Sequence, residues 1–289
     1  MSELGRIEPC AALRPVTWGR ARALLGRVKD PHVRALTYKM KVRENVTFVD
    51  PPALDHDEPR FHVHLAVGEL RIELHDHHAD EQSAKLAVTP FLDAWEMDAA
   101  LAAHRRDFWF QFERAEVIDR SPQPPGSIVA FGMAVIARAT MSAHGTVTVQ
   151  RAAYPAPPRG FVVTGAVRQL WDRYEATIDD REPPASAGYY CYTTLLGLTP
   201  NGTRKSEKLP WVERALSIDE PVLATLKTLT NKGGPTTARK YSPRPEAHTG
   251  AELNWLRMAV RVLTRRLGEW EHDRQAALPM ITMSDLPPL

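Results

Sequence analysis

Along the first half of the chain, apolar residues tend to recur at every second position. Leu36, Tyr38, Met40 and Val42 alternate with Thr37, Lys39, Lys41 and Arg43, which predicts a strand with one covered and one wet face. Phe108, Phe110 and Phe112 alternate with Trp109 and Gln111 in the same way. Segment 128–137 is apolar on both faces, as a central strand would be. Segment 146–151 follows the turn residues His144-Gly145 and predicts a hairpin arm. One helix, 83–103, interrupts the strands, with Ala84, Val88, Phe91, Trp95 and Ala99 at helical spacing. Pro90 falls inside that pattern and predicts a kink or a split, with Thr89 capping a second helix.

In the second half the period changes to 3.6. Val167, Leu170, Trp171, Tyr174 and Ile178 form one stripe, and Tyr189 to Leu198 predicts a mostly buried helix. Ser217-Ile218-Asp219-Glu220 has the capping-box pattern ahead of Leu223, Leu226 and Leu229, and Gly233-Gly234 ends that helix. Thr249-Gly250-Ala251-Glu252 is a second capping box. It opens the longest helix, with Leu253, Leu256, Val260, Leu263, Leu267 and Trp270 on one face. Between the halves lies Tyr154-Pro155-Ala156-Pro157-Pro158-Arg159-Gly160, where three proline rings remove backbone donors and fix φ. The expectation is an α+β protein. Residues 1–153 form a β-rich antiparallel sheet domain with helix 83–103 packed on it. A Pro-rich linker follows at 154–160, then a helical domain at 161–275 and a tail at 276–289.

The most informative local pattern is Phe61 to His75, FHVHLAVGELRIELH. A two-residue type II′ turn with Gly68 first would face Val67 with Leu70, Leu65 with Ile72 and Val63 with Leu74. The opposite face would then pair His64 with Glu73 and His62 with His75. Imidazole and carboxylate groups so placed are candidate ligands for a transition ion, which makes His62, His64, Glu73 and His75 the metal candidates. The favoured reading is a solvated hairpin face with no metal.

Composition narrows the classes. The chain has 289 residues, 43% hydrophobic and 25% charged, with a formal net charge of +2, as in an ordinary folded protein rather than a disordered one. No run of about 18 apolar residues predicts a membrane span, and the N-terminus has no secretory core. Cys10 and Cys191 match no metal or redox spacing, so a cytoplasmic setting is expected. Cys191 lies in an apolar run and reads as a core residue. There is no GxSxG elbow, phosphate loop, dinucleotide fingerprint or HExxH, and no cofactor is expected.

Charge is uneven. Residues 201–268 hold thirteen Lys or Arg against six Asp or Glu, a surplus of seven positive charges. On the longest helix, Arg257, Arg261 and Arg265 form an exposed row opposite the apolar stripe; it could track phosphates, but the favoured reading is a solvated surface aided by the Arg265–Glu269 pair. With Arg239, Lys240 and Arg244 they are the candidate contacts to nucleic acid or a partner protein. Segment 211–230 has the length pattern of a helix-turn-helix, although its second helix offers only Lys227 and threonines to DNA.

Three stretches resemble a group of uncharacterised bacterial proteins: PFLDAWEMDAAL with FERAEVIDR, REPPASAGYYCYTTL, and TLTNKGGPTTARK. The likeness covers about two thirds of the chain and implies no activity. The C-terminal helices are also similar to the HEPN superfamily, helical domains that often act as RNases. Active members carry an arginine, four to six residues and a histidine before the last helix. In ARKYSPRPEAH, eight residues separate Arg239 from His248 and three separate Arg244 from it. Neither spacing matches, so the resemblance implies a copy that kept a binding or assembly role without RNase chemistry. The leading expectation is therefore a non-catalytic binding or assembly protein of a bacterial cytoplasm, with no membrane partner. The alternatives are a HEPN-like or metal-dependent nuclease and a helix-turn-helix regulator.

Overall fold

A computed structural model describes residues 30–121, 149–232 and 246–289. The expected strand 128–137 lies outside them. The protein is α+β, with a sheet in its first half and helices mostly in its second.

The sheet is built from β1 (Pro31–Val42), β3 (Leu54–Glu58), β4 (Phe61–Ala66), β5 (Glu69–Leu74) and β6 (Phe108–Asp119). Their order is β3-β4-β5-β1-β6, with every neighbouring pair antiparallel. The expected alternation places Leu36, Tyr38 and Met40 of β1 in the core. Two register shifts against β6 interrupt its period, one between Thr37 and Tyr38, and Thr37 is buried rather than wet. β2 (Val46–Phe48) and β7 (Val149–Arg151) form a separate parallel pair, so the C-terminal end of segment 146–151 is not an antiparallel hairpin arm.

The β4–β5 hairpin forms with a different turn from the one expected. Val67 and Gly68 both have positive φ, 51° and 72°, which is the type I′ pattern, whose twist matches the flanking strands. Leu65 therefore faces Leu70, Val63 faces Ile72 and Phe61 faces Leu74. The pairing slips by two positions, so the core face survives, but Val67 leaves it and is 99% exposed. A β-branched residue in the left-handed region is strained. Gly68 anchors the turn, donating its N–H to the Tyr154 hydroxyl (2.9 Å) and accepting from the Met40 N–H (2.8 Å).

α1 (Glu81–Ala103) is one continuous helix, not two. Asp80 caps it by accepting from the Ser83 N–H. Thr89 caps nothing; its hydroxyl bonds back to the Lys85 carbonyl (2.7 Å). Pro90 is exposed, so the carbonyl it leaves without a partner can reach water, and packing carries the helix through. Ala84, Val88, Leu92 and Trp95 enter the core of the sheet. Ala94, Met97, Ala100 and Leu101 enter the core of the C-terminal helices. α1 is thus a wall shared by both halves.

The helical half comprises α2 (Gly165–Ile178), α3 (Pro184–Gly197), α4 (Lys205–Leu216), α5 (Glu220–Lys232) and α6 (Gly250–His272). α6 carries the expected capping box at Thr249 and Glu252. It packs against all four of its neighbours and α1. Cys191 is fully buried, and desolvation pushes its thiol up to about 12, in keeping with a core role. Two expectations fail here. Ser217 caps no N-terminus; it ends α4 with φ 49°. The segment 276–289 is not a free tail: Ile281 bridges to Ile218, and Ile281 and Leu286 are buried in the helical core. The Pro-rich segment passes from core to core, with Tyr154 buried in the sheet core and Phe161 in the helical one.

Candidate anion-binding groove

The histidine face is organised by β3, a strand whose sequence, LDHDE, gave no strand signal. Its alternate residues Asp55 and Asp57 pair across from His64 and His62. Each imidazole takes a carboxylate: His62 Nδ1 lies 2.7 Å from Asp57 Oδ1, and His64 Nδ1 lies 2.7 Å from Asp55 Oδ1. The bond to Asp57 raises the pKa of His62, and the bond from His64 lowers that of Asp55. Because of the shifted register, His64 faces Arg71, and His62 faces Glu73 rather than His75. Glu73 accepts from Arg71 at 3.1 Å, and the His75 ring reaches only the Pro59 carbonyl at 3.4 Å. The four metal candidates do not converge. No group of three or more ligating side chains suited to a metal occurs among the described residues.

The arginine row of α6 is not the exposed face expected: Arg257 and Arg261 are half-buried, and all three arginines meet protein. Arg257 bonds to Asp180 at 2.9 Å. Arg261 donates to the Leu101 carbonyl at 3.0 Å. Arg265 pairs with Asp98 at 3.2 Å and Glu269 at 3.3 Å. Arg266, which was counted in the basic surplus, is buried and donates to the Leu216 and Ser217 carbonyls at the end of α4. These side chains satisfy helix C-termini and carboxylates inside the molecule. Arg239, Lys240 and Arg244 lie outside the described residues.

Lys205 and Lys208 share one face of α4, three residues apart, and Lys227 stands on α5. Among the described residues, lysine ion pairs are made by Lys85 and Lys232 and by none of these three. All three border a groove of about 480 Å³ between α3, α4 and α5. Its aromatic side comes from Tyr189 and Tyr192 on α3, with Thr193 and Leu196 on the same helix. Burial raises the pKa of the Tyr192 hydroxyl, which keeps it a neutral donor. Asn231 donates from Nδ2 to the Lys227 carbonyl (2.6 Å), while its Oδ1 is buried and has no hydrogen-bond partner among the described residues.

Three ammonium groups around an apolar, aromatic floor suit an anionic ligand that also carries flat or apolar surface. The lysines were visible in the sequence as part of the surplus. The tyrosines were not, because their helix reads as mostly buried. What marks them is spacing: Tyr189, Tyr192, Thr193 and Leu196 recur at three, four and seven residues, a stripe offset from the core residues Gly188, Cys191 and Leu195.

No family model, curated protein or solved structure matches the chain.

Proposed function

We propose that the protein is a non-catalytic binding protein whose helical half holds nucleic acid through the groove between α3, α4 and α5. The observation that carries this reading is the contrast between two sets of cations. The α6 arginines are engaged within the molecule, whereas Lys205, Lys208 and Lys227 surround an aromatic-lined groove with no ion pair among the described residues. Lysines neutralise phosphates without reading bases, and tyrosine rings stack on any base. His248 supports a role without RNase chemistry: its ring donates to the Leu229 carbonyl at 2.9 Å and so serves as an anchor ahead of α6.

The test is an anisotropy titration with labelled RNA and DNA strands at two salt concentrations. The wild type should bind with little sequence preference and weaken steeply with salt. The K205Q/K208Q/K227Q variant should lose affinity, with a salt slope smaller by up to about three, one for each phosphate contact removed. Absence of binding by the wild type at physiological salt, or equal binding by the variant, would overturn the proposal.

A further inference from the structure

A second cleft, of about 310 Å³, lies where one end of the sheet meets α2. Three parts of the chain build it. Arg43 follows β1, Arg106 follows α1, and Trp109 stands on β6. The β1–β6 register sets Lys41 opposite Trp109, so Arg43, two residues on, is its diagonal neighbour on the same sheet face. The Arg43 N–H donates to the Asp107 carbonyl at 2.9 Å, which fixes this corner. From the other side the Tyr174 hydroxyl donates to the His104 carbonyl at 2.9 Å, holding α2 against the end of α1. The cleft is therefore framed by anchored elements.

Its charges are incompletely matched. Arg105 is paired with Asp107 at 3.1 Å, and Asp179 with Arg181 at 2.8 Å. Arg43 and Arg106 make no ion pair among the described residues, and the Nε of Arg106 is buried with no hydrogen-bond partner. A buried guanidinium nitrogen without an acceptor is costly, and an oxyanion is its natural complement; the nearby carboxylates of Glu96 and Glu175 feel the charge of Arg106 without an ion pair to it. Glu175 also lines the cleft and makes no ion pair among the described residues; burial raises its pKa, and the charge of Arg106 opposes that rise. Trp109 is 40% exposed, an unusual position for so large an aromatic, and it offers a flat surface beside the two arginines.

We propose that this cleft binds a phosphate monoester carrying a planar ring, a ligand of the nucleoside monophosphate class, with the phosphate held by Arg43 and Arg106 and the ring against Trp109. Arginine suits this task because its planar fork can grip two phosphate oxygens at once. The site shares no residue with the lysine groove and stands independently of it.

Calorimetric titration of the full chain with adenosine monophosphate, ribose 5-phosphate and inorganic phosphate tests the assignment. The wild type should bind adenosine monophosphate saturably. R43Q and R106Q should each weaken binding of that probe about tenfold, the loss of a charge-assisted bond. W109A should weaken adenosine monophosphate and leave ribose 5-phosphate unchanged. K205Q/K208Q/K227Q should bind all three probes as the wild type does. Arg43 is exposed, so R43Q keeps the test decisive even if R106Q fails to fold. The proposal is overturned if the wild type shows no saturable binding, if R43Q binds like the wild type, or if only the lysine variant loses binding. If W109A has no effect on adenosine monophosphate, the ring-bearing ligand class is overturned.

Discussion

Arg261, in the middle of α6, donates its guanidinium to the backbone carbonyl of Leu101 at 3.0 Å, joining residues 160 positions apart. Leu101 lies in the last turn of α1, where carbonyls have no partner within the helix and the helix dipole attracts positive charge. A surface-style arginine is thereby turned into a tie between the two halves.

Arg261→Met keeps most of the stem and removes the donor. Stability should fall by about 1.5–3 kcal/mol, the usual cost of losing a charged hydrogen bond at a partly buried carbonyl. The lower end is expected, because the Arg261 Nε is itself buried with no hydrogen-bond partner among the described residues, and its removal relieves that cost. Urea unfolding at neutral pH measures the difference. A variant as stable as the wild type would show that the tie contributes nothing.

Gly268 is required for close contact on the same helix. A Cβ built there would lie 2.2 Å from a ring carbon of Phe161, the first residue after the Pro-rich segment. Gly268→Ala should destabilise by about 1–3 kcal/mol through overpacking, despite the better helix propensity of alanine. Phe161→Leu in the same chain should recover part of the loss. Thermal melts of the two single variants and the double variant give the coupling.

The acid limb of the stability profile should depend on Glu252. Its carboxylate accepts from Lys232 Nζ at 2.7 and 3.0 Å and from the Thr249 N–H at 2.8 Å. The lysine bond, then the backbone bond, hold its pKa below the ordinary 4.5. A carboxyl whose pKa is lowered on folding stabilises the protein fully above its unfolded value. That contribution is lost as pH falls through the folded value. Glu252→Gln should therefore lower the urea midpoint at pH about 6 and narrow the gap from the wild type as pH approaches about 3. A gap that stays constant with pH would contradict this account.

The parts of the fold legible in the sequence are those fixed locally. α6 is announced by a 3.6-residue period and by the Thr249–Glu252 box, both complete within the helix itself. The core face of β4 and β5 is equally legible, because alternation alone sets it. Their register is not, since it depends on whether the turn falls at Val67-Gly68 or Gly68-Glu69, a choice made by the Tyr154 hydroxyl and by β1. β3 was invisible because Asp55, His56, Asp57 and Glu58 have little strand propensity. The strand exists through pairing with β4, and His56 stacks on Phe91. The arginine row was expected to be exposed, whereas Arg257 and Arg261 are half-buried and Arg261 meets α1. The neighbour on that side was not foreseeable, because α1 lies more than a hundred residues upstream. The lysine groove was missed for a related reason: three helices must pack before Lys205, Lys208 and Lys227 share an opening.

The double-sided burial of α1 has a consequence for how the chain matures on the ribosome. α1 is synthesised early and can dock on β1 and the β4–β5 hairpin soon after it emerges. The residues that cover Ala94, Met97, Ala100 and Leu101 come chiefly from helices made much later. At about 5–20 residues per second, the interval between the end of α1 and the middle of α6 is on the order of ten seconds. During that interval the stripe is covered only in part, because α2 reaches the end of α1 through Tyr174 and His104 before α6 exists. The core that the two halves share is therefore complete only when the last long helix arrives.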